Sequence, residues 1–230
     1  MTGGLLNLIA YGNQNVILNG NPTKSFFKTS YSKYTNFGLQ KYRIDQTGQT
    51  NISITKETQI SFKIKRYGDL LMDTYLVINL PKIWSPIYQH INADTNAIEY
   101  RPYEFQWIKN IGSQIIDEVN LTIGGHLIQK FSGSYLQNMV ERDFYNKKES
   151  FDIMTGNISE LNDPANYSNR ENNYPNAFKL DDVQLDGVEP SIHSHTLYIP
   201  LNTWFTLLTT MALPLICLQY AELEINFTLR

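Results

Sequence analysis

The sequence contains very little cysteine and few charged side chains. Of its 230 residues only one, Cys217, is a cysteine, which excludes an internal disulfide framework and any CxxC metal or redox site. This usage fits a reducing compartment. Charged residues make up 18% of the chain and the net charge is −3, values that exclude a disordered chain and a protein that coats nucleic acid by charge alone. Hydrophobic residues, at 42%, and aromatic residues, at 13%, are abundant instead. A chain of this length can bury one full core, and all-β sandwiches of this size often form a single domain.

The first residues lack the basic region and the long apolar run of a secretory signal peptide. Residues 196–221 carry no charge and are numerous enough to cross a bilayer. They include Pro200, Pro214 and several polar side chains, which make a lipid-facing helix costly. We therefore predict buried strands in this stretch.

Alternation of apolar and polar residues, the period of a half-buried strand, is the dominant pattern. It predicts strands at residues 52–55, 60–65, 118–123 and 222–229. Gly124-Gly125 follows the third of these and predicts a tight hairpin turn. Residues 213–218 and, apart from Asn79, residues 75–80 are apolar, and both segments are interpreted as strands buried on both faces. Together these patterns predict an all-β antiparallel sandwich or barrel.

Helical periodicity is scarce. Residues 132–144 carry apolar side chains at spacings of three and four, which predicts one short helix. Residues 146–189 are polar and rich in turn-forming pairs, so we expect a long irregular surface excursion there.

Charge is concentrated at the N-terminal end. No acidic residue precedes Asp45, while five basic residues do. The first 44 residues therefore carry a formal charge of +5, and the residues from Asp45 onward carry a net charge of −8. Aromatic side chains such as Phe26 and Phe27 lie between the lysines. Such a segment could contact phosphate groups of lipid or nucleic acid. The interpretation we favour is an edge strand whose lysines prevent it from pairing with another chain. An extended arm that packs on a partner protein is the alternative that stays open. The basic residues are Lys24, Lys28, Lys33, Lys41 and Arg43.

The residue types needed for catalysis do not form a recognisable set. His193 and His195 would share one face of a strand and could share a metal. A jelly-roll metal enzyme of the cupin type would need a further glutamate ligand where Ile199 or Pro200 stands. Cys217 lies in an apolar run and is predicted to be a buried small hydrophobe. We predict no catalytic, metal-binding or cofactor-binding residues.

Six blocks of sequence follow one another along the chain and span nearly all of it. They are GGLLNLIAYGNQNVILNGNP at residues 3–22, SFFK at 25–28, YTNF at 34–37, IKRYGDLL at 64–71, VNLTIGG at 119–125 and LPLICLQY at 213–220. In this order the blocks resemble the major capsid proteins of nucleocytoplasmic large DNA viruses, and the first and last are the most specific. Asn15 stands where that family usually has aspartate.

This resemblance implies a structural protein with no enzyme activity and no cofactor. Members of the family carry two consecutive eight-stranded jelly rolls and form homotrimers, which act as pseudo-hexagonal capsomers of an icosahedral shell around an internal membrane. The chain matches the first jelly roll, as residues 25–230 with the excursion at 146–189, and a second jelly roll is absent from it. We expect it to be the first half of a longer protein or a truncated form of one. The implied location is the virion capsid, assembled in the host cytoplasm.

The resemblance also implies that residues 1–24 form an arm at the inner base of the capsomer. Lys24, Lys28 and Lys33, with Phe26 and Phe27, are then the candidate contacts on the inner face. Their expected partners are minor capsid proteins or the anionic viral membrane, alongside neighbouring capsomers, and no specific nucleic acid. Two alternatives to a major capsid subunit stay open at this point, a carbohydrate-binding jelly-roll module and a minor or vertex capsid protein of the same fold.

Overall fold

The computed structural model describes residues 35–48, 56–84, 87–172, 174 and 190–230. The chain divides into two compact units, Met1–Tyr42 and Arg43–Arg230. In the first unit, residues 35–42 form no regular element and are exposed. The second unit holds all of the strands and helices reported below. The predicted domain boundary between residues 24 and 25 lies outside the described residues.

Within the described residues, ten strands, all paired antiparallel, make up most of the regular structure. A four-stranded sheet has the order β1-β10-β6-β7, and three two-stranded ladders join β2 with β9, β3 with β8, and β4 with β5. The strands are β1 Thr58–Ile64, β2 Leu70–Leu71, β3 Tyr75–Leu80, β4 Ile87–Ile91, β5 Ile98–Pro102, β6 Ile116–Ile123, β7 His126–Phe131, β8 His195–Pro200, β9 Leu213–Pro214 and β10 Leu223–Leu229.

The alternation seen in the sequence sets the register of the four-stranded sheet. In β10 every second side chain, from Leu223 to Leu229, is buried, because successive side chains of a strand point to opposite faces. Phe227 packs edge-to-face on Phe62 of β1 with ring centroids 5.6 Å apart. The predicted strands at 60–65, 118–123 and 222–229 are thus confirmed, while the one at 52–55 falls outside the described residues.

The predicted hairpin turn joins β6 and β7. Gly124 and Gly125 both have positive φ, 57° and 80°, the backbone conformation that a type I′ turn requires and that glycine adopts at least cost. The predicted turn is therefore confirmed. Within the β6–β7 ladder the pairing register shifts by an irregularity between Leu121 and Thr122.

Strand β3 forms as predicted, but it is not buried on both faces. Leu76 and Leu80 are buried, whereas Tyr75 and Val77 are 47% and 52% exposed. The apolar run was misleading because no second layer covers this side of the β3–β8 ladder in the described part of the chain. The prediction of two buried faces is wrong.

The predicted strand at 213–218 is also wrong for most of its length. Only Leu213–Pro214 pairs, with Leu70–Leu71, and the chain then turns into a 3₁₀ helix, Leu215–Cys217. Proline has no N–H to donate to a ladder, and the partner strand β2 is two residues long. Cys217 is consequently exposed, which corrects the prediction of a buried cysteine.

The helices lie between β5 and β8. They are α1 Ile111–Gln114, α2 Gly133–Asp143, α3 Lys148–Thr155 and α4 Ser159–Asn162, with 3₁₀ turns at Tyr145–Lys147 and Tyr167–Asn169. A further 3₁₀ turn, Thr209–Met211, lies between β8 and β9. Helix α2 confirms the predicted one. None of the helices in the described part of the chain has the length and hydrophobicity needed to cross a bilayer.

Helices α3 and α4 fall in the segment that the sequence indicated as irregular surface. Phe151 and Leu161 are buried in the main core, and the Thr155 hydroxyl donates to the Phe151 carbonyl at 2.8 Å. Residues 148–162 are therefore part of the packed body, and the prediction of an irregular loop is wrong there. The apolar residues were too sparse among polar neighbours to reveal this packing.

One hydrophobic core unites the sheets and the helices. It receives side chains from the four-stranded sheet, from the inner face of β3–β8, and from α1, α2, α3 and α4. Its most deeply buried members include Val119, Leu121, Leu136, Leu197, Ile199 and Phe205. Contacts between distant segments of the chain thus hold the body together. Because the side chains of this core are buried, the candidate functional surfaces are the outer faces of the body.

Candidate interaction surfaces

The histidines considered as metal ligands do not come together with other ligands. His195 begins β8, and His193 lies two residues before that strand. Among the residues that the structure describes, no three histidine, cysteine or carboxylate side chains are grouped so as to hold a metal ion. The predicted inner-face contacts Lys24, Phe26, Phe27, Lys28 and Lys33 lie outside the described residues. The surfaces of the packed body are therefore where the structure can be searched for function.

The outer face of the four-stranded sheet is polar and carries paired charges. Lys63 Nζ lies 2.7 Å from Glu222 Oε2 and 3.3 Å from Glu224 Oε1. Lys130 Nζ lies 2.7 Å from Glu118 Oε2, and its hydrogen bond lowers the pKa of the Glu118 carboxyl. In cross-strand pairs of this kind, each charged group has a partner of opposite charge on the neighbouring strand. This face is an ordinary solvated surface.

The outer face of the β3–β8 ladder is exposed but contains no full charge. Tyr75, Val77 and Tyr198 are 47%, 52% and 49% exposed, and Val77 stands opposite Tyr198 in the register. Neither strand contains aspartate, glutamate, lysine or arginine. Exposed sheet surfaces usually carry charges that discourage association. We call this surface the uncharged face.

Two local features keep the uncharged face neutral and ordered. The Thr196 hydroxyl donates to Asn79 Oδ1 at 2.9 Å across the ladder, so these two polar groups are paired. Partial burial raises the pKa of the Tyr75 hydroxyl, and the carboxylate of Asp73 raises it further. Because the shift is upward, Tyr75 stays protonated at neutral pH and itself adds no charge to this face.

Strands β4 and β5 form a hairpin whose strands pair with no other strand in the described part of the chain. An isolated two-stranded hairpin is marginally stable in water. The register places His90 opposite Glu99 and Gln89 opposite Tyr100. The hairpin therefore has two distinct faces, one with His90, Glu99 and Arg101 and the other with Gln89, Ile91, Ile98 and Tyr100.

The charged face of the hairpin satisfies its own polar groups. Arg101 Nη2 lies 2.7 Å from Glu99 Oε2, and Asn92 Nδ2 donates to Glu99 Oε1 at 2.8 Å. The Asn92 hydrogen bond, followed by that of Arg101, lowers the pKa of the Glu99 carboxyl. Glu99 and Arg101 therefore have partners within the hairpin itself.

The other face of the hairpin is apolar and turned to solvent. Ile91, Ile98 and Tyr100 are 64%, 61% and 51% exposed, and Gln89 Nε2 donates a 3.2 Å hydrogen bond to the Tyr100 hydroxyl. His90 and Glu99, on the charged face, are less exposed than these apolar residues. This reverses the usual arrangement, in which the apolar face of an antiparallel pair is covered. We call this surface the apolar hairpin face.

The sequence analysis did not identify the hairpin. Ile87 and Ile91 share one side of the strand with the polar Gln89, which makes the alternation weak, and Asp94, Thr95 and Asn96 supply turn residues. Alternation indicates that a strand has two different faces, but it cannot indicate which face the rest of the fold covers. The reversed exposure was accessible only from the structure.

Comparison with known proteins gives a consistent result. The sequence model of the family described as "Major capsid protein N-terminus" matches residues 25–230. The chain is 34% identical over 233 residues to capsid protein 1 of Acanthamoeba polyphaga mimivirus, covering 100% of the chain and 35% of that protein. It is 31% identical over 238 residues to the major capsid protein of Phaeocystis pouchetii virus, covering 100% of the chain and 41% of that protein.

A solved structure supports the likeness at the level of the fold. The Faustovirus major capsid protein has a TM-score of 0.50 and 13% identity, with 100% of this chain and 50% of that chain covered. Against the curated relatives above, the chain spans roughly two fifths of their length.

Proposed function

The chain belongs to the family of major capsid proteins of nucleocytoplasmic large DNA viruses, and we propose that it is a structural subunit of an icosahedral viral shell. The observation that carries this proposal is the family match over residues 25–230. Relatives named as capsid proteins match the full length of the chain, which supports a structural role in the virion. Since the chain spans only part of each relative, the assembly steps below are also proposals.

We propose that residues 25–230 form the first of two jelly rolls, with eight strands in two sheets. A jelly roll closes antiparallel strands around one core. Two features support this interpretation. Strands β1 and β10 are neighbours although they lie near opposite ends of the described chain. The four-stranded sheet and the β3–β8 ladder share a single core.

The subunit is proposed to form homotrimers that act as pseudo-hexagonal capsomers. Exposed surfaces without charge, such as the uncharged face, suit repeated contacts between copies. Sedimentation velocity of the purified full chain tests this. We expect a species of three copies that persists on dilution, seen as threefold particles by negative-stain electron microscopy. A chain that sediments as a monomer at every concentration would contradict the proposal.

The N-terminal arm, residues 1–24 with the adjoining segment to Lys33, is proposed to contact minor capsid proteins or the anionic internal membrane. The five basic residues before Asp45, with no acidic residue among them, support this partner chemistry. Replacing Lys24, Lys28 and Lys33 by glutamine is expected to leave trimers intact and to lower the yield of closed shells. Particle counts by electron microscopy measure the yield, and an unchanged count would refute the role of the arm.

A further inference from the structure

We propose that β10 is the closing strand of the packed body: the segment from α1 to α2 folds first, and β10 enters the sheet after the rate-limiting step of folding. The α1–α2 segment comprises residues 111–143, and the closing strand is Leu223–Leu229. This order of events concerns the body itself and holds whatever larger structure the chain builds.

Strand β10 occupies an interior position in the four-stranded sheet, between β1 and β6. Each of its seven residues has a partner on both neighbouring strands. Neighbouring strands lie about 4.8 Å apart, so without β10 the strands β1 and β6 would be roughly 10 Å from each other, too far to share hydrogen bonds. The sheet is therefore incomplete until β10 is in place, and until then β1 and β6 each keep an unpaired edge.

Both neighbours of β10 are far from it in the sequence. Lys63 of β1 donates to Glu222, the residue before β10, across a sequence separation of 159. The Thr122 hydroxyl of β6 donates to the Glu224 carbonyl across a separation of 102. Closing a long loop costs conformational entropy, and this cost must be met before the contacts between its ends stabilise the chain. The pairing of β10 is thus slow to begin along both of its edges.

The α1–α2 segment, in contrast, packs through contacts between residues that are close in the sequence. Its strands β6 and β7 are joined by the two-residue turn described above. Gly133, the first residue of α2, lies so close to the Ser113 carbonyl of α1 that a methyl group has no room between them. Phe131 of β7 packs on Tyr135 of α2 with ring centroids 5.3 Å apart. Because these loops are short, their closure costs little entropy, which favours early formation of this segment.

The entry of β10 completes the core as well as the sheet. Leu223, Ile225, Phe227 and Leu229 are all nearly fully buried, and the ring of Phe227 packs on Phe62 of β1. In the proposed order these contacts stabilise the folded body but are absent from the transition state of folding. Interactions of that kind slow unfolding and leave the folding rate nearly unchanged. Strand β10 therefore sets how slowly the folded body opens.

Phe227→Leu in β10 and Phe131→Leu in β7 make the same chemical change in the late strand and in the early segment. Both rings belong to the main core, so each substitution is the matched control of the other. Stopped-flow refolding and unfolding of the full chain measure the rates. F227L is expected to speed unfolding at least threefold and to change the refolding rate less than twofold. F131L is expected to slow refolding at least threefold.

Refolding that F227L slows as much as F131L does, or a refolding rate that F131L leaves unchanged, would overturn the proposed order. An F227L chain as stable as the wild type in equilibrium unfolding would also overturn it, because β10 would then not occupy the core. Ile225→Val in β10 and Val140→Ala in α2 are a milder pair for the case that a phenylalanine variant does not fold. I225V is expected to act mainly on the unfolding rate and V140A mainly on the refolding rate, and the reverse result would contradict the proposal.

Discussion

Replacing Phe205 by alanine is expected to destabilise the folded chain by about 3–5 kcal/mol, the range for truncating a fully buried phenylalanine. Phe205 is completely buried in the main core, and its ring packs edge-to-face on Trp204 with centroids 5.5 Å apart. The loop that carries it is closed by hydrogen bonds of the next residue: the Thr206 hydroxyl donates to the Leu201 carbonyl at 3.0 Å, and the Thr206 N–H donates to the Thr203 carbonyl at 3.1 Å. The site therefore has little freedom to collapse around the cavity.

Thermal and denaturant unfolding measure this effect. For a body of this size, a loss of that magnitude lowers Tm by roughly 10 °C or more. Phe37→Ala is the matched control, because Phe37 is largely exposed and its removal leaves no cavity. We expect Phe37→Ala to change stability by less than about 0.5 kcal/mol. Equal effects of the two substitutions would show that Phe205 does not occupy the core.

Gly133→Ala is expected to have the second large effect, a destabilisation of about 3 kcal/mol. Gly133 is the first residue of α2, where the helix meets the turn between α1 and β6. A methyl group there would lie 1.9 Å from the Ser113 carbonyl oxygen and 2.7 Å from that of Ile116. Both obstacles are backbone atoms, so a change of side-chain rotamer cannot relieve the clash.

Gly68→Ala provides the control for Gly133→Ala. Gly68 lies on the loop between β1 and β2, with nothing within 4 Å of an added methyl group and no positive φ. The free energy of unfolding of G68A is expected to stay within about 0.5 kcal/mol of the wild type. If G133A unfolds at the same denaturant concentration as G68A, the close packing of α2 on the α1–β6 turn is not present in solution.

The parts of the fold that were predicted are those where local pattern and tertiary packing agree. Leu223, Ile225 and Phe227 alternate with polar residues because one side of β10 faces the core and the other faces water. The Gly124-Gly125 turn needs two residues with positive φ, and the sequence supplies two glycines there. In such places a short window of sequence already contains the physical reason for the structure.

The errors arose where hydrophobicity alone was used to infer burial. Leu213–Leu218 is apolar, yet Pro214 and a two-residue partner strand end the ladder at once, and Ile216 and Cys217 are exposed. Phe151 and Leu161 lie in a polar segment, yet they enter the core. Which faces are covered depends on contacts between distant segments, and a local pattern does not contain that information.

The contact residues predicted from the sequence stay a prediction, and the structure adds exposed surfaces that the sequence did not indicate. Sequence reasoning assigned the partner contacts to Lys24, Lys28 and Lys33, which lie outside the described residues. It gave no indication of the apolar hairpin face, because Ile91 and Ile98 would look the same in a strand whose apolar side is buried. Exposure of these side chains, not their identity, distinguishes an interaction surface from part of the core.

Cryo-electron microscopy of particles of the virus that encodes this chain tests the central claim most directly. The account predicts shell capsomers with threefold symmetry whose density contains the four-stranded sheet β1-β10-β6-β7. A shell whose capsomers have no density for this domain, in particles from which the chain is missing, would contradict it.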